Sequence, residues 1–330
     1  MGRNANNVLL QKARKTKSDE FFTQLIDIER ELQYYTKHFK DKTVYCNCDD
    51  PLKSNFVRYF ILHFKGLGLK KLIASCYREQ MVDLFNPKPK KTGSFFEYTG
   101  NTEKEIMPKS DDICCFTGDG DFRSKESVHL LKQADIAVTN PPFSLFRDFV
   151  AQLIKYNKKF LIIGNINAIT YKEIFHLIKE NKAWLGVNLG RGISGFIVPK
   201  HYELYGTETK IDEYGNRIIS PNNCLWLTNL ETPRHYENII LTKRYIGNEK
   251  EYPKYDNCNG ININKTQDIP ADYTGLMGVP ITFLHKFNPN QFEIIRFRKG
   301  DDKKDLSING KCPYFRILIK NKQVELYTIS

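Results

Sequence analysis

With 330 residues, 41% of them apolar and 13% aromatic, the chain is long enough to bury one large core or two modest ones and too apolar to remain disordered. Fifty Lys and Arg against 38 Asp and Glu leave a net charge of +12, which favours a polyanionic partner or an anionic surface. No apolar run approaches the length that spans a bilayer and no charged-then-apolar leader is present, so neither a membrane span nor secretion is expected.

Residues 1–18 carry Arg3, Lys12, Arg14, Lys15 and Lys17 without an acid, the pattern of a basic arm in which Lys15 and Lys17 are candidate phosphate contacts. Thr23 is placed to cap a helix whose apolar positions Leu25, Ile28, Leu32, Tyr35 and Phe39 follow helical spacing. Residues 43–48 read as the first strand, followed by Asp49-Asp50-Pro51 and a helix with Phe56, Val57, Phe60, Ile61 and Phe64 on one face. Nothing resembles Gly-x-Gly-x-x-Gly, which excludes a dinucleotide fingerprint. Residues 70–75 read as strand two, residues 80–110 as an inserted loop or small hairpin, and residues 112–116 as strand three.

The most informative stretch comes next. Residues 135–139 form a short apolar run that stops at Asn140-Pro141-Pro142-Phe143, before a helix with Leu145, Phe146, Phe149, Val150, Leu153 and Ile154 on one face. Such a run reads as a buried strand ending at a sheet rim, where ligands bind in open α/β sheets. Each proline fixes φ, removes an N–H and holds the preceding residue extended. The result is a stiff, donor-free turn whose carbonyls, with the Asn140 side-chain oxygen, offer convergent acceptors beside an aromatic ring. That arrangement suits a planar amine, with Phe143 lying on its face.

Beyond the corner, residues 160–164, 183–187, 195–198 and Cys224–Thr228 read as strands, and Thr170-Tyr171-Lys172-Glu173 as a capping box opening a helix. Alternating strands and helices predict an α/β fold with a doubly wound, mostly parallel sheet and an antiparallel edge. Gly190-Arg191-Gly192 is a basic loop able to approach a polyanion. Residues 230–330 lose the alternation and cluster Arg296, Arg298, Lys299, Lys303 and Lys304, which reads as a less regular, basic segment. The expected organisation is a basic arm at 1–18, a domain at 19–229 with an insertion at about 80–110, and a less regular basic region at 230–330. The eight cysteines include no Cys-x-x-Cys pair, so no metal site is expected and a reduced, cytoplasmic setting is.

Asn140-Pro141-Pro142-Phe143 resembles the [Asn/Asp/Ser]-Pro-Pro-[Tyr/Phe/Trp] motif of amino-methyltransferases that use S-adenosylmethionine. From Lys17-Ser18-Asp19-Glu20-Phe21 to Cys312-Pro313-Tyr314-Phe315-Arg316 the chain resembles the EcoRI-type adenine-N6 DNA methyltransferases over nearly its whole length. The resemblance implies a methyltransferase domain at 19–229 and a target-recognition region at 230–330, with Arg191, Arg296, Arg298 and Lys299 as DNA contacts. It implies catalytic roles for Asn140, Pro141, Pro142 and Phe143, and cofactor contacts at Phe22, Thr23 and Asn140. It also implies that Asp121 accepts from the cofactor's adenine amine while Phe122 lines that pocket. The family's glycine-rich turn after the first strand is missing, so an acidic or polar side chain is needed for the cofactor's ammonium; Asp49 is favoured, with Asn47 second. Strand two lacks the acid that usually holds the ribose.

The expected function is site-specific methyl transfer to N6 of an adenine flipped out of duplex DNA, with GAATTC the first site to test and a cognate restriction endonuclease as the counterpart. A monomer with no obligate protein partner is expected. Action on cytosine N4, RNA or protein glutamine, and a non-catalytic DNA-binding module, stand as the alternatives.

Overall fold

The computed structural model describes residues 22–78, 92–100, 107–189, 193–198, 209–219, 223–298, 306–312 and 315–325. Within these residues the chain divides into two compact units: the part up to Ala168 with Gly186–Leu230, and Ile169–Leu185 with the part from Glu231 onward.

The first unit opens with a two-residue strand β1 (Phe22–Thr23) and helix α1 (Leu25–Leu32). Strand β2 (Thr43–Cys46), helices α2 (Asn55–Leu62) and α3 (Phe64–Leu67), and strands β3 (Lys71–Cys76), β4 (Ser94–Tyr98) and β5 (Cys114–Cys115) follow. Helix α4 (Lys125–Gln133), strand β6 (Ile136–Thr139), helix α5 (Phe146–Lys155) and strand β7 (Lys159–Asn165) complete the first half. Helix α6 (Lys172–Lys179) belongs to the second unit. The chain then returns through β8 (Trp184–Leu189), β9 (Phe196–Val198), β10 (Thr209–Ile211), β11 (Arg217–Ile219) and β12 (Cys224–Thr228).

Local chemistry accounts for several of these elements. Ser54 caps α2, its Oγ accepting from the Phe56 N–H at 3.1 Å, and Phe56, Val57, Phe60 and Ile61 turn one buried stripe inward. Gly68 ends α3 with φ of 63°, a left-handed position that suits glycine. Every residue of β2 and of β6 is buried, the signature of strands covered on both faces. Thr23, expected as a helix cap, instead forms β1. Gln24 takes the cap position and uses its side chain elsewhere, Nε2 donating to Ser194 Oγ at 2.8 Å and to the Gly195 carbonyl at 2.9 Å.

The main sheet has the order β5-β4-β3-β2-β6-β7-β12-β8. Strand β2 runs parallel to β3 and β6, and β6 parallel to β7, whereas β4, β5 and β12 are antiparallel to their neighbours β3, β4 and β7. The mostly parallel sheet expected from the sequence is therefore corrected to a mixed one with a parallel centre. Strand β4 alternates between more and less buried residues, which is what an antiparallel, half-covered strand requires. The expected third strand shrinks to exposed Cys114–Cys115 at the edge. Residues 195–198, expected beside the later strands, join a separate antiparallel sheet of order β1-β9-β11-β10.

A core of aromatic and aliphatic side chains packs here, including Phe39 edge-on to Phe60 at 5.3 Å and Phe56 edge-on to Trp226 at 6.0 Å. Two wholly buried acids face it from α1. Glu31 accepts from the Val187 and Asn188 N–H groups (2.7 and 2.8 Å), from Asn188 Nδ2 and from Tyr35 O–H. Asp27 accepts from the Ser194 N–H and hydroxyl. Burial pushes both carboxyls upward while these donors pull them back.

The second unit holds a sheet of order β13-β14-β16-β15, from β13 (Gly260–Asn262), β14 (Leu276–Pro280), β15 (Phe292–Arg298) and β16 (Arg316–Asn321). Strands β13 and β14 are parallel, β16 is antiparallel to β14 and β15, and a bulge falls between Ile294 and Arg296. The irregularity expected of residues 230–330 thus gives way to a sheet whose Met277, Val279, Ile317 and Ile319 are buried. Helix α6 is tied to β15 by Lys179 Nζ donating to the Ile295 carbonyl (2.8 Å) and by Phe175 against Phe297 at 5.3 Å. The cap position of α6 falls not on Thr170, which closes a 3₁₀ turn, but on Tyr171, whose side chain does not cap the helix.

Candidate active site

The order of the main sheet creates one topological switch point. From β2 the chain moves to β3 on one side and later returns to β6 on the other. Outside the carboxyl ends of such a strand pair lies the crevice in which open α/β sheets bind ligands. The turn 47–54 after β2 and the corner 140–143 after β6 both emerge there.

At the corner, Pro141 is buried while Asn140, Pro142 and Phe143 keep partial exposure, and the Asn140 side-chain oxygen points into the protein. Phe143 begins a 3₁₀ turn that leads into α5, with the Leu145 N–H donating to the Pro142 carbonyl at 3.0 Å. Its ring meets Phe196 edge-on at 6.2 Å. Phe196 is paired with Thr23 in the small sheet, which brings the expected Phe22–Thr23 pair to the same corner.

Across from the corner, Asp49 is buried and accepts on both carboxylate oxygens: from Ser54 Oγ at 2.6 Å, and from the Thr139 hydroxyl. Burial pushes its carboxyl up to about 6, against the pull of those two donors; neighbouring Asp50 adds to the rise. Asp50 is itself paired with Arg78 at 3.2 Å. Asn47 is 2% exposed, and neither atom of its carboxamide has a hydrogen-bond partner among the described residues. The buried Thr23 hydroxyl is in the same condition. Buried polar groups are ordinarily satisfied, so these atoms hold donor and acceptor capacity that the described residues leave unused.

The turn that follows β5 closes against the ends of β3 and β4. Gly120 has φ of 80°, and a Cβ there would sit 2.6 Å from the Cys76 carbonyl, so only glycine allows this approach. The Arg78 N–H donates to the Asp119 carbonyl at 2.9 Å. Asp121 accepts from the N–H, Nε and Nη2 of Arg123, which hold its carboxyl below the usual range. Phe122 is buried edge-on to Phe149 at 5.1 Å, and its carbonyl accepts from Gln152. The expected carboxylate is therefore already engaged by Arg123, and the expected ring packs into the protein.

Comparison with known proteins decides the family. The model of the adenine-specific methyltransferase EcoRI family matches residues 9–322. The chain is 66% identical over 325 residues to the type II methyltransferase M.EcoRI of Escherichia coli, covering 98% of this chain and all of that one. The chain belongs to the EcoRI methyltransferase family. It is an adenine-specific DNA methyltransferase of the type II restriction–modification class. More distant relatives are the type II methyltransferases M.MgeORF184P of Mycoplasma genitalium (38% identity, 95% of this chain and 98% of the other) and M.MpnI of Mycoplasma pneumoniae (36%, 94% and 98%). No solved structure matches the chain.

For this EcoRI-type methyltransferase, the structure brings Asn47, Asp49, Asn140 and Phe143 to adjacent strand ends and joins Thr23 to them through Phe196. Arg296 is exposed on β15 of the second unit, and Arg298 ends the same strand. Lys15, Lys17, Arg191 and Lys299 lie outside the described residues. Sequence reasoning missed Ser54 and Thr139, which donate to Asp49, and Arg123, which engages Asp121. One signal was present for Ser54, a good N-cap before an apolar helix. The partnership of Thr139 with a residue 90 positions away has no local signature.

Proposed function

We propose that this enzyme transfers a methyl group from S-adenosylmethionine to N6 of an adenine drawn out of duplex DNA, within GAATTC. The supporting observation is the meeting, at one switch point, of the donor-free corner 140–143 with a buried, doubly hydrogen-bonded Asp49 and the unmatched carboxamide of Asn47. S-adenosylmethionine, when bound, supplies an activated methyl group. Asp49 suits its ammonium, and Asn47 offers an acceptor and a donor to its charged amino-acid end. Thr23 and Phe22 border the same site from β1, and Asp121, with Phe122, stands on the side of the cofactor's adenine. Oδ2 of Asp121 accepts from Arg123 Nη2, and a carboxylate oxygen has capacity for a second donor such as an amine.

On the target side, Asn140 Oδ1 and the Pro141 carbonyl accept from the two N6 hydrogens while Phe143 stacks on the base. Two acceptors favour a pyramidal nitrogen and stabilise the positive charge that would develop there as the methyl–sulfur bond of the donor is exchanged for an N–C bond, a neutral thioether being the leaving group; the surplus N6 proton then passes to solvent. Pro142 keeps the corner rigid, so positioning and electrostatics supply the acceleration. The parallel centre of the main sheet agrees with a doubly wound methyltransferase architecture. The second unit, with Arg296 and Arg298, suits target recognition, and Lys15, Lys17, Arg191 and Lys299 add phosphate contacts. We read the enzyme as a cytoplasmic monomer paired in function with a restriction endonuclease.

The test is expression in cells that lack adenine methylation, followed by genome-wide mapping of N6-methyladenine, beside an Asn140→Ala control. Methylation at GAATTC that vanishes in the control supports the proposal. Label found only in RNA or protein, or methylation that survives the substitution, overturns it.

A further inference from the structure

Thr139 is the last residue of β6 and is wholly buried. Its neighbours Ile136, Ala137 and Val138 are apolar, so a valine would fill the same space, and strand pairing with β7 uses only its backbone. The hydroxyl is therefore surplus to the needs of the strand. It donates across the switch point to Asp49 Oδ2. The very next residue is Asn140. Because β6 is pinned between β2 and β7, the positions of the Thr139 hydroxyl and of Asn140 are rigidly related.

We propose that Thr139 is a positioning residue that couples the cofactor-side carboxylate of Asp49 to the target-side Asn140, so that holding the cofactor and holding the base form one linked arrangement. This rests on the assignment of Asp49 and Asn140 made above and adds a link between them. The bond from Thr139 favours the ionised form of Asp49, the form that attracts an ammonium. Other charged and titratable groups face this carboxylate from the surrounding elements. Asp50 is paired with Arg78, Asp121 with Arg123, and the thiols of Cys46 and Cys48 are held protonated by burial. Ser54 donates from the start of α2 but does not titrate in this range.

Thr139→Val and Thr139→Ser test the link. Losing a hydrogen bond to a charged group costs on the order of tenfold, so Thr139→Val should lower kcat about tenfold with duplex affinity unchanged. The acid limb of kcat/KM for S-adenosylmethionine should also move to higher pH, and Thr139→Ser should restore both properties. If the valine variant does not fold, Thr139→Ala compared with Thr139→Ser isolates the hydroxyl alone. A hydroxyl-free variant that keeps the wild-type kcat and acid limb overturns the coupling, as does a serine variant no better than its hydroxyl-free counterpart. Asp49→Asn is measured alongside: wild-type cofactor affinity there would refute the site assignment itself. Weakened affinity there with a neutral Thr139→Val would refute only the link.

Discussion

Replacing Asp49 with Asn should stabilise the cofactor-free protein while weakening its hold on S-adenosylmethionine. Burial raises this carboxyl from the ordinary value near 3.9 to about 6. At ~1.4 kcal/mol per pH unit, keeping it ionised at neutral pH costs the fold about 3 kcal/mol. The folded state takes up the proton as pH falls through 6, the unfolded chain only near 4, so the cost is complete above pH 6 and is relieved between about 6 and 4. Asn carries no charge and its oxygen still accepts from Ser54, so a gain of about 1–3 kcal/mol is expected at pH 7.5, or ~2–6 °C in Tm. The gain should fade as the wild type is moved to pH 5. Cofactor affinity should fall at least about tenfold, because the ammonium loses a buried counter-charge. Thermal unfolding across pH, with calorimetric titration of S-adenosylmethionine, measures both. A variant less stable than wild type at pH 7.5, or one that binds the cofactor as well as wild type, refutes the reasoning.

Other expectations follow from the same geometry. Asn140→Ala should abolish methyl transfer in a radiolabel assay yet leave gel-shift affinity for duplex DNA largely intact, since only the acceptor on N6 is removed. Ser54→Ala removes both the cap of α2 and a donor to Asp49; a loss of about 1 kcal/mol in denaturant unfolding is expected. The pH midpoint of cofactor binding should rise with it. Glu31→Ala strands the buried Val187 N–H and the half-buried Asn188 N–H, and a loss of about 3 kcal/mol should appear as a lowered urea midpoint. Arg296→Ala should weaken DNA binding and reduce the slope of log affinity against log salt by about 1, as loss of one phosphate contact would.

What the sequence alone determined was local. The stripes of α2 and α5, the all-buried strands β2 and β6, and the rigid Asn140-Pro141-Pro142-Phe143 corner were legible because side-chain periodicity and proline stereochemistry act over a few residues. What the tertiary structure decided was partnership. Periodicity reports that an element has a buried face, not which element covers it. The antiparallel β4, the placement of β9 in the small sheet beside Phe143 and the inclusion of α6 in the second unit could therefore not be read in advance. The same holds for the acids: Asp27 and Glu31 look like solvent-facing helix residues until β8 and Ser194 supply their donors. Asp49 likewise acquires its unusual proton affinity only when folding removes water and brings Ser54 and Thr139 to its oxygens. Burial and hydrogen bonding between distant residues set that chemistry, and neither exists until the chain has closed on itself.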